Sequence, residues 1–312
     1  MNPVGAYIDA HHDALGLERM GIERRPPCVV LTPRYHRSRH VIVLVLSGPR
    51  GEARLVGKLP RHAGDAQGLA REARNLRVLE RVLAPADASS VPRLVAFQYR
   101  PPHPLLLETA LAGMPLSPAA LRRQRRAAVE RLVIWLERLA TATAARPRDV
   151  IWYERLVRAP LSELAERADA PTAAMVERTL ERAEVLRDAG LPLVFEHGDL
   201  CHPNLLLTRD GAVGVLDWER AEPAGLPAQD LFFFLSYAAA GGRRRPTALR
   251  EAFRGPRPWA WRVAELYARR LGIDRRLLAP LLAVSCARTV AGGNTAPRHL
   301  ALWQLALEEA GP

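Results

Sequence analysis

Short apolar runs broken by turn residues dominate the first third of the chain. Cys28–Tyr35, His40–Ser47 and Arg54–Lys58 predict strands, the last two joined by the turn Gly48-Pro-Arg-Gly51. Over Asp65–Leu83 the spacing becomes helical, with Leu69, Leu76, Leu79 and Leu83 on one stripe. Leu105–Leu111 then predicts a further strand, ending at Gly113. Ser117-Pro118 pairs a capping hydroxyl with a first-turn proline and opens a helix. Its stripe of Leu121, Ala128, Leu132, Trp135 and Leu139 runs on to Arg146-Pro147, and the rest of the chain is mostly helical in pattern. The exception is Leu205–Thr208 and Ala212–Leu216, two strand-like runs around Arg209-Asp210-Gly211, where Asp-Gly signals a hairpin. The expected class is α+β: a small strand-rich part over residues 1–109 and a larger, mainly helical part over 110–312 that carries the hairpin.

The hairpin matters for what it gathers. Asp199, Asn204 and Asp217 stand in the order Asp-x4-Asn-x12-Asp. Folding at the turn returns Asp217 towards Asn204, and Asp199 can reach the same end. Oxygen ligands of this kind suit Mg²⁺, which takes one or two carboxylates plus substrate phosphates. An ordinary hairpin with surface Asp and Asn explains the turn itself but not three further polar residues at one end.

The segment Phe195–Glu219 resembles the catalytic core of the aminoglycoside phosphotransferase and choline kinase family. The H-x-D-x4-N pattern is carried by His197, Asp199 and Asn204, and the apolar run into D-x-E by Val213–Glu219. The resemblance implies a two-lobed protein-kinase-like fold, with a small antiparallel sheet and one main helix in the N-lobe and a larger helical C-lobe. It further implies that Asp199 is the catalytic base and that Asn204 and Asp217 hold Mg²⁺ against the phosphates of ATP or GTP. His197 then shapes the loop without taking the proton. Asp230, a helix N-cap by its position, would also brace the catalytic-loop backbone.

Of 45 cationic residues only one, Lys58, is lysine. A compact ammonium meets phosphate as a point charge, unlike a guanidinium fork. Lys58 ends the third strand candidate, where the resemblance requires a phosphate-holding lysine. Glu72 lies on the apolar stripe of the following helix, where a carboxylate is costly unless paired. Lys58 is its expected partner, with Glu80 as the less central alternative. The resemblance also makes Leu105–Leu111 a hinge, with backbone groups near Glu108 and Ala110 pairing with the base. Val56 and Leu206 complete the expected nucleotide set.

The pattern departs from protein kinases. No G-x-G-x-x-G separates the first two strands, whose connection is His36-Arg-Ser-Arg39. Asp-Trp-Glu replaces Asp-Phe-Gly, no Ala-Pro-Glu follows, Gly198 stands where an arginine is expected, and thirteen residues separate Asp217 from Asp230, counting Asp230. The expected acceptor is therefore a small hydroxylated molecule, of antibiotic, sugar or amino-alcohol type. Its side of the site is expected from Arg148–Gly190 and Gly241–Pro312, where Trp152, Tyr153, Trp259, Trp261 and Trp303 either line it or fill core. Glu219 either supports a second metal, faces the acceptor, or orients local backbone.

Charge and composition alter the picture little. The net charge of +12 invites nucleic acid as a partner, and arginine clusters occur at Arg122–Arg126 and Arg243–Arg245. Acidic residues interleave the arginine-rich helices, however, and no nucleic-acid motif appears, so a basic nucleic-acid-binding protein is a remote alternative and a catalytically silent nucleotide-binding scaffold a nearer one. Val41–Leu46 and Leu231–Ala240 are too short to span a bilayer. The start of the chain lacks a signal-peptide pattern, and Cys28, Cys201 and Cys286 are isolated. A cytoplasmic enzyme without disulfides is expected, with Cys201 a small filler in the catalytic loop.

Overall fold

Alternation along the early strands sends one set of side chains to each face of a five-stranded antiparallel sheet. In the computed structural model, which describes residues 2–31, 38–62, 65–99, 104–208, 210–240 and 246–308, helix α1 (Pro3–His11) precedes the strands. These are β1 (Cys28–Leu31), β2 (His40–Ser47) and β3 (Glu52–Pro60). Helix α2 (Ala66–Val82) leads on to β4 (Leu94–Gln98) and β5 (Leu105–Thr109). The sheet order is β1-β2-β3-β5-β4. The expected continuation of β1 to Tyr35, like His36 and Arg37 of the β1–β2 connection, lies outside the described residues.

The chain divides into two compact units: Met1–Met114 with Leu206–Ala221, and Pro115–Leu205 with Glu222–Pro312. In the first unit, Val43, Val45, Leu55, Leu105 and Leu107 pack against Val4, Ile8 and Leu17. Helix α1 was not foreseen. Its cap is Asn2, whose side chain accepts from the Gly5 amide at 2.9 Å, followed by a first-turn proline. The helix approaches so closely that a Cβ at Gly57 would meet Val4 Cγ2 at 2.6 Å. The opposite face carries Leu106 against Leu69 and Ala73 of α2. Register pairs Lys58 with Leu106 and Val56 with Glu108, so strand alternation puts these four on that same face.

Strands β6 (Met114–Pro115), β8 (Leu205–Leu207) and β9 (Val213–Val215) form a three-stranded sheet in the order β6-β8-β9, β7 being Val194–Glu196. The chain passes from one unit to the other within β6, within β8 and again between Ala221 and Glu222. The hairpin closes as expected: Thr208 N–H donates to Ala212 O at 3.0 Å and Gly211 N–H to Thr208 O at 3.1 Å.

The second unit is helical. It begins with α3 (Pro118–Arg123), capped by Ser117 Oγ accepting from Ala120 N–H at 3.1 Å. The expected single helix breaks at Gln124, whose φ of −127° is not helical, before α4 (Arg125–Thr143). Arginines at 122, 123, 125 and 126 flank the break and would repel one another at helical spacing. There follow α5 (Ile151–Tyr153), a π-helical turn, α6 (Ala159–Arg167) and α7 (Ala170–Arg187). Strand β7 pairs antiparallel with β10 (Glu222–Gly225). The last helices are α8 (Gln229–Ala240), α9 (Pro246–Arg254), α10 (Trp259–Arg270), α11 (Leu278–Ala291) and α12 (Pro297–Leu307). Helix α11 packs against α6, α7, α8 and α12. Trp152, Tyr153 and Trp303 are buried in this core, whereas Trp259 and Trp261 are only partly covered.

Candidate functional site

In the first unit, β3 projects Lys58 towards α2 and β5. Its Nζ lies 2.6 Å from Glu72 Oε1 and 3.0 Å from Glu108 Oε1. All three side chains are buried, at 6%, 0% and 1% exposure, so one ammonium sits between two carboxylates away from water. Burial disfavours the charge of Lys58, but Glu108 and then Glu72 outweigh it and raise the ammonium's pKa. Two anions cannot both be matched by one cation. Glu72 is the better counter-ion, since its Oε1 has the shorter contact and also accepts the Trp218 N–H at 3.0 Å. Burial pushes Glu108 up to about 8 against the pull of Lys58, which leaves it mainly protonated at neutral pH. Glu80, the alternative partner, is exposed.

Helix α2 also grips the segment after β9. Asn75 Nδ2 donates to Trp218 O at 2.8 Å and Ala221 O at 3.2 Å, and Arg71 Nε donates to Glu219 O at 3.2 Å. The Trp218 ring is fully buried, its indole N–H on Val215 O at 3.0 Å. This grip supports Asp217 at φ 66°, the only non-glycine left-handed residue among those described. That conformation costs of order 1–3 kcal/mol, and Asp tolerates it better than most residues. Asp217 Oδ1 and Glu219 Oε2 are buried without a hydrogen-bond donor. Glu219 Oε2 stands 3.7 Å from His40 Nε2, and burial, then Asp217, raises its pKa. A side chain at Gly68 would collide with Glu219 Oε2, so α2 needs a glycine there.

In the second unit, β7 runs into the loop that carries Asp199. Asp230, in the first turn of α8, accepts the His197 N–H at 2.6 Å and the Gly198 N–H at 2.9 Å through separate carboxylate oxygens. Burial, then neighbouring Glu196, pushes Asp230 up to about 7. Glu196 is tied to Arg288 Nη1 at 2.9 Å and accepts the Leu226 N–H at 3.0 Å. His197 is fully buried, and its Nδ1 accepts the Asp199 N–H at 3.2 Å. Asn204 Nδ2 donates to the Asp199 carbonyl at 2.9 Å and to its Oδ2 at 3.3 Å. Cys201, expected as a small filler in this loop, points its Sγ at Asp199 Oδ1 from 3.7 Å.

The structure thus gathers Lys58, Glu72 and Glu108 in one cluster, with Asp217 close enough to raise the lysine's pKa, and Asp199 with Asn204 in another. Val56 and Leu206 belong to the first unit, half-buried and buried respectively. The Ala110 N–H donates to Arg54 O at 2.9 Å, so the backbone there offers a base only its carbonyl. Sequence reading missed the Glu108 side chain, Asn75 and the Cys201 contact. Glu108 carried a usable signal, a carboxylate inside the apolar run Leu105–Leu111.

A model of the phosphotransferase enzyme family matches residues 38–267. Among solved structures, an aminoglycoside phosphotransferase from Streptomyces rimosus is similar at 18% identity and a TM-score of 0.52, covering 97% of this chain and 99% of its own. Plasmodium vivax ethanolamine kinase is similar at 12% identity and a TM-score of 0.60, covering 98% of this chain and 89% of its own. Choline kinase LicA from Streptococcus pneumoniae is similar at 12% identity and a TM-score of 0.56, covering 95% and 97%. These likenesses show a shared fold. Comparison with curated proteins gives no match.

Proposed function

The chain belongs to the phosphotransferase enzyme family, and on that premise we propose that it moves the γ-phosphoryl group of ATP or GTP to a hydroxyl of a small molecule. The observation that carries this reading is the buried Lys58–Glu72 pair whose shared oxygen also holds the amide beside Asp217. A buried ion pair is a weak device for stability, but it suits a lysine that must present a fixed positive charge to phosphate.

The first unit is assigned the nucleotide. Lys58 neutralises phosphate charge, Glu72 positions it, and Val56, Leu206 and the backbone at Glu108 and Ala110 hold the base. The second unit is assigned Asp199 and the acceptor side. The acceptor oxygen forms its bond to the γ-phosphorus, the bond from phosphorus to the β,γ-bridging oxygen breaks, and the nucleoside diphosphate leaves. The hydroxyl proton passes to the Asp199 carboxylate.

Mg²⁺ fits the residues present. Asp217 Oδ1 is a buried carboxylate oxygen with no hydrogen-bond donor. Asn204 donates through Nδ2, which leaves Oδ1 as the atom it can offer a cation. Bound with the nucleotide, Mg²⁺ would offset charge on the triphosphate. Among the described residues no cluster of three or more His, Cys, Asp or Glu side chains could hold a metal.

No described helix is long and apolar enough to cross a membrane. Three free cysteines and a nucleotide substrate support a reducing, cytoplasmic setting. The test is thermal. Mg²⁺-ATP or Mg²⁺-GTP should raise the melting temperature, since a ligand at a hundredfold excess over Kd stabilises the folded state by about 2.7 kcal/mol. Lys58→Ala should abolish the shift. Asp199→Asn should retain it while losing turnover; retained turnover removes Asp199 from the mechanism.

A further inference from the structure

A second group of side chains, linked to Asp199 through Tyr237, takes no part in the chemistry above. From α8, Tyr237 sets its ring 5.4 Å from that of His202, which follows Asp199 by three residues in the same loop. Asp199 and Cys201 both act electrostatically on Tyr237, and Asn294 hydrogen-bonds to it. From the start of α12, Arg298 lays its guanidinium over the Tyr237 ring, 3.8 Å from the centroid. His299, buried at 2% exposure, stacks on Phe233 with ring centres 5.2 Å apart.

Two atoms of this group are buried without a partner: Arg298 Nε and His299 Nε2. Among the described residues no carboxylate lies within ion-pair distance of Arg298. Burial, then Arg298, lowers both His202 and His299, the latter to about 3, so neither ring adds positive charge at neutral pH. Asp199 is the one carboxylate in the group, and its task is the proton. The cluster therefore offers an aromatic wall, neutral polar edges and one unpaired guanidinium. An arginine fork matches carboxylate and phosphate oxygens, whereas a polycation would meet a positive charge with no opposing acid beyond the base itself.

Resting on the phosphotransferase reading, we infer that the acceptor is a hydroxylated small molecule carrying an oxyanion, carboxylate or phosphate, which Arg298 binds while the Tyr237 and His202 rings flank its body. Arg298 is then a specificity-determining residue, distinct from the nucleotide-holding group.

The experiment compares matched acceptors: D-glucose with D-gluconate and D-glucose 6-phosphate, and panthenol with pantothenate, alongside kanamycin and choline. Acceptor-dependent release of nucleoside diphosphate is the readout. At least one anionic member should exceed its neutral partner tenfold or more in kcat/KM, and the gluconate and glucose 6-phosphate arms separate carboxylate from phosphate. Arg298→Gln should bring that ratio close to one by raising KM more than it lowers kcat, and Arg298→Lys should restore part of it. The melting shift with Mg²⁺-nucleotide should persist in both variants, which shows them folded. Three results overturn the inference: kanamycin or choline used as well as the anions, a ratio unmoved by Arg298→Gln, or a panel in which no anion is favoured, even one without turnover. Absence of any nucleotide shift in the wild type would count instead against the phosphotransferase reading.

Discussion

Glu108 places Oε1 3.0 Å from Lys58 Nζ, which also stands 2.6 Å from Glu72 Oε1. Its folded-state pKa, about 8, lies above the ordinary 4.5. A carboxyl raised in this way adds stability that is full below its unfolded pKa and lost as pH rises through the folded one. The ligand-free protein should therefore lose stability between about pH 5 and pH 8 by this route. Glu108→Gln cannot lose the proton, so urea midpoints measured across that range should fall less steeply. Asp230, also raised, contributes a slope of the same sign, and some slope should survive in Glu108→Gln. An unchanged slope would mean that Glu108 is ionised throughout.

Lys58→Ala removes the one cation facing two buried carboxylates. Breaking a buried pair in this way typically costs about 3–5 kcal/mol. Adding Glu108→Gln to Lys58→Ala should recover little of the loss at neutral pH, because burial already keeps Glu108 mainly protonated and the stranded charge is that of Glu72. Denaturant unfolding of the single and double variants measures both terms.

Asp230→Asn leaves one carbonyl oxygen for two amide donors, His197 N–H and Gly198 N–H. Losing a buried acceptor costs about 1–3 kcal/mol. The loop that aims Asp199 should shift as well, and misplacement by about 1 Å can cost on the order of a hundredfold in rate. Turnover should fall far more than nucleotide affinity; equal losses in both would make Asp230 a stabilising residue only.

Asn75→Ala strips the Trp218 and Ala221 carbonyls of their shared donor. A cost of about 1–3 kcal/mol is expected. Because Trp218 follows Asp217 directly, the Mg²⁺ concentration giving half-maximal nucleotide stabilisation should also rise. Titration of Mg²⁺ against the melting temperature checks this.

Gly57→Ala would drive a methyl into Val4, which already stands 2.6 Å from the ideal Cβ position. Overpacking of this kind costs about 1–3 kcal/mol. The companion change Val4→Ala should relieve the clash, giving a double variant more stable than the sum of the two predicts.

What the sequence disclosed divides along physical lines. The turn at Asp210-Gly211 is local chemistry, and the hairpin folds as that chemistry requires. Glu72 was legible because a carboxylate on an apolar stripe demands a partner, and the same reasoning reaches Glu108 within Leu105–Leu111. Helix α1 was legible too, since Asn2-Pro3 repeats the cap-then-proline signal of Ser117-Pro118. Asn75 was not: its partner Trp218 is 143 residues away, and the contact is to a backbone carbonyl that no side-chain pattern marks. The break at Gln124 interrupts an otherwise continuous apolar stripe, so periodicity alone gave no warning of it.

Because one oxygen, Glu72 Oε1, receives both the Lys58 ammonium and the Trp218 amide, strand, helix and loop share a single fastening point. The amide proton of Trp218 is then a resident witness to the ion pair. Any event that draws Lys58 away from Glu72 frees that oxygen to hold the amide more tightly, while any event that draws Glu72 away releases the amide to solvent. Hydrogen exchange at one backbone position can thus tell which partner moved when nucleotide arrived.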